Sequence, residues 1–209
     1  MTSSRSPDFR TLLATERCWD KGVSAVLART GAPAVDCILQ NRDELIEFCE
    51  WIDEQRIRSY LEIGIWTGRL LTFLHRVFAF DVVAACDTLE ASSCGLTVSV
   101  PADAKLFVGD SHSAQFSRWR AELGSIDLVV IDGDHSYEAV HRDFEIQRSH
   151  PHRFLAFHDI VGADASTAGV RRFWDERDDE RIEIVQPHRE LGGSLTMGIG
   201  ILPASSGAT

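Results

Sequence analysis

Long apolar runs and paired cysteines are missing from this sequence. Its five cysteines are odd in number and form no C-x-x-C pair, which is typical of reduced, mostly buried thiols. The nearest approach to a membrane-spanning run, Phe78–Cys86, is short and is interrupted by Asp81. The first eight residues lack the apolar core of a secretory signal. We therefore expect a cytoplasmic protein without a membrane partner.

Positive charge is also scarce. The chain has 21 Lys and Arg residues against 32 Asp and Glu residues, for a net charge of −11. A nucleic-acid partner requires a basic face, so none is expected. The acidic balance is compatible with a cationic ligand or a metal ion. With 209 residues, 44% of them hydrophobic, the chain suits one globular unit.

From Tyr60 onward, short apolar strands alternate with amphipathic helices. This pattern predicts an α/β fold: a Rossmann-like, doubly wound sheet of about seven strands, mostly parallel, with helices on both faces. The predicted strands are Tyr60–Ile63, Val82–Cys86, Lys105–Val108, Ile126–Ile131, Phe154–Phe157, Arg181–Gln186 and Ser194–Ile201. No helix separates the last two strands, so we expect them to form an antiparallel hairpin around a short turn.

The most informative stretch is the apolar run Ile126–Ile131 and the polar residues after it. Such a run is typical of a central parallel strand that is buried on both faces. It ends abruptly at Asp132-Gly133-Asp134-His135, and ligands of open α/β sheets bind at the carboxyl ends of the strands. A polar turn in which Asp134 or Ser136 caps the next helix would need only one of these residues.

A glycine-containing loop, Leu61–Gly68, follows the first predicted strand. Gly64 permits a sharp turn, and Gly68 lets the backbone approach a ligand closely. Trp66 stands where the dinucleotide fingerprint has its second glycine, which admits a pyrophosphate. The loop therefore disfavours a dinucleotide and leaves room for a nucleoside without phosphates.

The next two strands also end in polar residues. Asp87 ends the second strand and could accept both hydroxyl protons of a ribose. At the end of the third strand, Asp110 could take the amine of an adenine and Ser111 a ring nitrogen. A helix cap or a solvated turn would explain any one of these residues taken alone.

A metal site is predicted where two neighbouring strands end. Asp132 follows one strand and His158-Asp159 follows the next, and neighbouring strands lie about 5 Å apart. Two carboxylates suit Mg²⁺ or Mn²⁺, and an added histidine moves the preference towards Mn²⁺, Fe²⁺ or Zn²⁺. Alternatively, His158 and Asp159 pair with each other or cap the following loop.

His135 is the predicted general base. It lies three residues after Asp132, and the ordinary pKa of histidine near 6.5 suits proton transfer. A packing or supporting role for His135 is the alternative. His112 and the remaining histidines have weaker claims to a role in the site.

These motifs, taken in order, resemble a known family. E-I-G-x-x-x-G, the acidic second strand end, G-D-S, D-G-D-H-S-Y and F-H-D are similar to class I S-adenosylmethionine-dependent methyltransferases over about Glu44–Pro203. More narrowly, they resemble small metal-dependent O-methyltransferases of natural products and their sugars, which include cephalosporin-hydroxylase-like relatives. The reversed last strand of that fold also matches the predicted hairpin.

The resemblance implies roles for individual residues. Some relatives carry D-G-x-H with the histidine as base, which corresponds to His135. They place acidic residues at the positions of Asp132 and Asp159 and often at that of His158, so His158 departs from the pattern. The implied S-adenosylmethionine site comprises Glu62, Gly64, Gly68, Asp87, Asp110, Ser111 and Asp132; the implied metal site comprises Asp132, His158 and Asp159.

We therefore expect an S-adenosylmethionine-dependent, divalent-metal-assisted O-methyltransferase that acts on a small hydroxylated metabolite. N-methylation stays open, and relatives suggest a homo-oligomer. Residues 1–40 are interpreted as a helical lead-in and residues 41–209 as the catalytic domain, with acceptor walls from Phe9–Gln40 and Gly162–Ala168. Two alternatives are a metal-dependent hydrolase using Asp132, His135, His158 and Asp159, and a non-catalytic ligand-binding domain of the same fold.

Overall fold

The computed structural model describes residues 7–31, 34–162 and 164–204, so Ala32, Pro33 and Ala163 of the expected acceptor walls lie outside the described residues. The strands are β1 (Ser59–Ile63), β2 (Val82–Asp87), β3 (Lys105–Val108), β4 (Ile126–Ile131), β5 (His152–His158), β6 (Ile182–Ile184) and β7 (Ile199–Pro203). The helices are α1 (Phe9–Leu13), α2 (Lys21–Thr30), α3 (Arg42–Gln55), α4 (Arg69–Phe78), α5 (Glu90–Ser93), α6 (Ala114–Glu122), α7 (Tyr137–Arg148) and α8 (Ala168–Asp175). Within these ranges, no helix is long and apolar enough to cross a bilayer.

The seven strands form one sheet in the order β3-β2-β1-β4-β5-β7-β6. Every neighbouring pair is parallel except the two pairs of β7, which runs antiparallel to both β5 and β6. The predicted fold class is confirmed. The strand order reverses between β1 and β4, and this reversal opens a crevice at their carboxyl ends.

The sheet separates two apolar cores. Side chains of α3 and α4 pack on one face, and side chains of α6, α7 and α8 pack on the other. Phe9, Leu13 and Ile38, from the segment before α3, belong to the same core as α3. The boundary near residue 40 stays a prediction.

Local capping fixes where two of the helices begin. The Asn41 side chain accepts a hydrogen bond from the Asp43 amide at the start of α3, and asparagine is among the preferred residues at this position. The Ser136 hydroxyl accepts one from the Ala139 amide at the start of α7. Asp134 in turn accepts from the amide of Ser136, so both residues have the turn and capping roles considered for them.

The last two strands differ from their predicted bounds. The pairing is antiparallel as expected, but residues 185–198, rather than a short turn, connect β6 to β7. The carboxylate of Glu44 on α3 accepts hydrogen bonds from the amides of Gln186 (3.1 Å) and Gly198 (3.0 Å). Because these two amides donate to a helix side chain, they are not available for pairing between β6 and β7, and both strands are shorter than predicted.

Candidate active site

A cavity of about 890 Å³ opens at the carboxyl ends of β1 to β5. Its volume lies within the range of small-molecule sites. It is lined by almost all of the residues that the sequence predicts for the site, namely Glu62, Gly64, Asp87, Asp110, Ser111, Asp132, His135, His158 and Asp159. Gly68 is not among the lining residues.

The two glycines of the loop after β1 serve different contacts. Gly64 has φ of +83°, and a Cβ at this position would collide with the Asp132 carbonyl at the end of β4. Gly68 has φ of +78°, and a Cβ there would collide with the Ser99 carbonyl. The structure therefore explains Gly68 by the close approach of a neighbouring segment of the chain, and its contact with the cofactor stays a prediction.

Asp87 organises this loop. Its Oδ2 accepts hydrogen bonds from the amides of Ile65 (2.7 Å) and Trp66 (3.3 Å), and its Oδ1 accepts one from the amide of Leu89. A carboxylate offers about four acceptor positions, so three are in use. Asp87 therefore holds the loop in place, and its contact with a ribose stays a prediction.

The end of β3 carries a second polar cluster. Asp110 accepts a hydrogen bond from the His112 amide (2.8 Å) and leaves 66% of its side chain exposed. His112 Nε2 lies 3.3 Å from Oδ1 of Asp143, a buried residue of α7. Burial raises the pKa of Asp143, while hydrogen bonds from Ser111 and His112 oppose the rise.

Two cavity residues of this cluster were not selected from the sequence. His112 had only a weak claim, and Asp143 lies in a helix whose polar positions look like an ordinary solvated face. The G-D-S-H run after β3 is the signal that could have identified His112. Asp143 has no comparable signal, because only the packing of α7 brings it beside β3.

Glu62 is buried at the floor of the cavity, with 2% of its surface exposed. The Tyr60 hydroxyl donates a hydrogen bond of 2.7 Å to its Oε2. Burial raises the pKa of Glu62 to about 8, although the bond from Tyr60 opposes the rise. Near neutral pH, the protonated form of this carboxyl is therefore favoured.

The predicted metal ligands converge. Asp132, His158 and Asp159 each offer one ligand atom, and these atoms lie within 4.8 Å of one another. His158 Nδ1 is 3.2 Å from Asp132 Oδ1 and 3.7 Å from Asp159 Oδ2. Atoms that bind one ion at about 2.1 Å lie about 3 Å apart when adjacent, so a small inward shift would complete the set.

The charges of these three side chains depend on one another. Burial alone would raise the pKa of Asp132, but His158 and His135 hold it well below its usual range. Burial alone would lower the pKa of His158, but Asp159 and Asp132 raise it to about 10. Burial raises the pKa of Asp159. A divalent cation would replace the proton of His158 as the positive charge between the two carboxylates.

His135 lies beside this group. Its Nε2 is 3.2 Å from Asp132 Oδ1 and 3.7 Å from Asp159 Oδ2. Among the described residues, only Asp132, His158 and Asp159 form a group whose ligand atoms all lie within 4.8 Å of one another, and His135 is not part of it. Burial would lower its pKa, but the hydrogen bond and charge of Asp132 raise it. His135 therefore lies beside the candidate metal ligands, and its role as the base stays a prediction.

The comparisons with known proteins agree with this fold. Residues 61–160 match the family model described as a methyltransferase domain. Together with the sheet order and the reversed β7, this match confirms the resemblance seen in the sequence. In this matched segment and in its fold, the chain is similar to class I S-adenosylmethionine-dependent methyltransferases. No curated protein sequence matches it significantly.

Solved structures share the fold at low sequence identity. A Klebsiella pneumoniae protein described as a candidate O-methyltransferase has a TM-score of 0.59 and 17% identity over 94% of this chain and 96% of its own. The O-methyltransferase TomG of Streptomyces achromogenes is involved in tomaymycin synthesis and was solved with S-adenosylmethionine. It has a TM-score of 0.53 and 17% identity, over 98% of this chain and 100% of its own. The mycinamycin-pathway methyltransferase MycE was solved with Mg and S-adenosylhomocysteine. It has a TM-score of 0.50 and 20% identity, over 76% of this chain and 38% of its own.

Proposed function

We propose that this protein transfers the methyl group of S-adenosylmethionine to a hydroxyl oxygen of a small metabolite, with the help of a divalent metal ion. The observation that carries the proposal is the convergence of Asp132, His158 and Asp159 beside His135, in a cavity that continues to Asp87 and Asp110. A hydrolase would need the metal-binding end of this cavity but not the end lined by Asp87 and Asp110.

The ends of β1, β2 and β3 suit the cofactor. Glu62, Asp87 and Asp110 line this part of the cavity, and their carboxylates suit the ammonium, ribose and adenine amine of S-adenosylmethionine. TomG, with the same fold, binds this molecule in its structure. The cofactor therefore occupies the β1–β3 side of the crevice in our proposal.

The donor set suits Mg²⁺ or Mn²⁺. Two carboxylates and one imidazole lie close enough to share an ion, and waters would fill its remaining positions. MycE contains Mg in its structure. A bound divalent ion would lower the pKa of the acceptor hydroxyl and orient it towards the methyl group.

His135 removes the hydroxyl proton in this proposal. Its Nε2 faces Asp132 Oδ1 and carries hydrogen in the neutral ring, which leaves the lone pair on Nδ1. The acceptor proton passes to Nδ1 as the new O–C bond forms and the C–S bond of the sulfonium breaks. Asp132 then stabilises the imidazolium, and S-adenosylhomocysteine is the second product.

Apolar side chains outside the proposed cofactor and metal residues also line the cavity, together with the polar residues Asp164, Ser166 and Thr167 after β5. Its walls contain Trp19 and Leu27 from the segment before α3, and Leu191 and Met197 from the connection between β6 and β7. We infer an acceptor that presents a hydroxyl to the metal and an apolar body to these walls.

Two measurements test the proposal. S-adenosylhomocysteine is titrated into the protein with and without MnCl₂, and S-adenosylmethionine is then incubated with a panel of hydroxylated metabolites. We expect binding of both ligands and an acceptor mass gain of one methylene unit, which is lost in Asp132→Asn. Metal binding without S-adenosylhomocysteine binding would instead favour a hydrolase. Binding of S-adenosylhomocysteine with no methylated product in the panel would favour a non-catalytic binding domain.

A further inference from the structure

Gln40 is a buried side chain of the cavity that no motif of the sequence identifies. It immediately precedes the cap residue of α3, and 3% of its surface is exposed. It lines the same cavity as Asp132, His158 and Asp159. The segment before α3 thus reaches the metal-binding end of the sheet.

The backbone around Gln40 is held from two sides. The carbonyl of Gln40 accepts a hydrogen bond from the Trp19 amide (3.3 Å). The next residue, Asn41, donates from its side chain to the carbonyl of Gln186 (2.9 Å). These contacts fix the backbone position of Gln40, so its side chain is held in place beside Asp132.

The two polar atoms of the Gln40 amide have different surroundings. Nε2 lies 3.5 Å from Asp132 Oδ2 and donates to it. Oε1 is shielded from solvent and has no hydrogen-bond partner among the described residues. A buried amide oxygen without a partner costs free energy, so its retention beside the metal ligands points to a partner that binds there.

We propose that Gln40 is a positioning residue of the metal site. Its N–H holds Oδ2 of Asp132, which keeps Oδ1 facing His158 and the ion. Its Oε1 accepts a hydrogen bond from a water or hydroxyl group that is bound to the ion. This inference rests on the proposed function, because it assumes that Asp132, His158 and Asp159 bind a divalent cation.

Mn²⁺ binding by the full chain tests the role directly. Gln40→Met removes both polar atoms and keeps a side chain of similar length. Residues that orient metal ligands typically contribute 10–100-fold in affinity, so we expect Mn²⁺ to bind about tenfold more weakly in calorimetry. The electron paramagnetic resonance spectrum of bound Mn²⁺ should also change, because a water of the ion loses its partner. Thermal stability without metal should stay close to that of the wild type.

Two matched controls separate this role from a structural one. Gln147→Met replaces another fully buried glutamine, which accepts from Arg120 Nε (2.9 Å) and does not line the cavity. It should lower thermal stability and leave Mn²⁺ affinity unchanged. Thr196→Val removes a cavity hydroxyl that is shielded from solvent and, like Gln40 Oε1, has no hydrogen-bond partner among the described residues. It should also leave Mn²⁺ affinity unchanged.

The outcomes can be told apart. If the wild type and Gln40→Met bind Mn²⁺ equally and give the same spectrum, the proposal is overturned while the metal site stands. It is also overturned if Gln147→Met weakens Mn²⁺ binding as much as Gln40→Met does. If the wild type binds S-adenosylhomocysteine but no Mn²⁺, both the metal part of the proposed function and the role of Gln40 fail.

Discussion

The two ends of the cavity satisfy their carboxylates in different ways. At the β1–β3 end, Asp87 accepts hydrogen bonds from backbone amides of the loop after β1, and Asp110 accepts one from an amide of its own loop. At the β4–β5 end, Asp132 and Asp159 face the side chains of His135 and His158. Backbone amides are fixed donors, whereas imidazoles exchange protons and bind metals. If the proposed function holds, the β1–β3 end is a preformed nucleoside site and the β4–β5 end is a metal site whose charge changes on binding.

The strongest test of this difference removes the carboxylate of Asp132, the central ligand of the proposed metal site. Asp132→Asn should weaken Mn²⁺ binding at least about 100-fold, since the carboxylate contacts both histidines and shares the ligand set. S-adenosylhomocysteine affinity should fall by no more than a few-fold, because Asp87 and Asp110 are untouched. Calorimetric titration of both ligands measures this. An equal loss of both affinities would show that the two ends are not separate.

His135 tests the chemistry at the metal end without removing a ligand. With the acceptor identified by the mass screen, His135→Gln should lower kcat by about 10²–10⁴, the usual contribution of a general base. Mn²⁺ and S-adenosylhomocysteine should bind within about threefold of the wild type. Single-turnover rates measure the effect. A large loss of Mn²⁺ affinity would make His135 a ligand and not the base.

Asp87 sharpens the comparison from the other end. Asp87→Asn keeps the shape but removes the charge that Ile65 and Trp66 contact through their amides. Charge-assisted hydrogen bonds contribute about 1.5–3 kcal/mol, so S-adenosylhomocysteine should bind about 10–100-fold more weakly. Mn²⁺ affinity should stay unchanged. Unchanged S-adenosylhomocysteine affinity would remove Asp87 from the cofactor site.

The smallest expected effect is a pH dependence at Glu62. Burial raises its pKa to about 8, so the free protein holds a proton there at neutral pH. Contact with the ammonium of the cofactor favours the ionised form, and binding below pH 8 must then expel the proton. S-adenosylhomocysteine affinity should therefore rise by up to about eightfold from pH 7.0 to 8.5. Glu62→Gln should flatten this slope, and an unchanged slope would contradict the assignment.

Much of the sheet could be predicted because its strands carry strong local patterns. Ile126–Ile131 is the same range in the sequence and in the structure, since a short apolar run rich in β-branched residues and followed by polar turn residues is typical of a buried strand. The ends of β6 and β7 could not be predicted, because the Glu44 carboxylate of a distant helix binds the amides between them. Local pattern carries no information about such a contact.

The candidate site shows the same division. Asp132, His135, His158 and Asp159 lie at or shortly after the ends of the neighbouring strands β4 and β5, so the topology brings them together. Gln40 and Asp143 reach the cavity through the packing of the segment before α3 and of α7. Gly68 fits the glycine pattern of the loop, but the structure places it against the Ser99 carbonyl. The sequence does not show which segment approaches a glycine, so this contact could not be predicted.

The most direct test of the two-ended cavity is anomalous diffraction from crystals soaked with S-adenosylhomocysteine and MnCl₂. We predict one Mn²⁺ peak between Asp132, His158 and Asp159, and adenosine density against Asp87 and Asp110. A Mn²⁺ peak elsewhere, or adenosine density away from the ends of β2 and β3, would contradict the account.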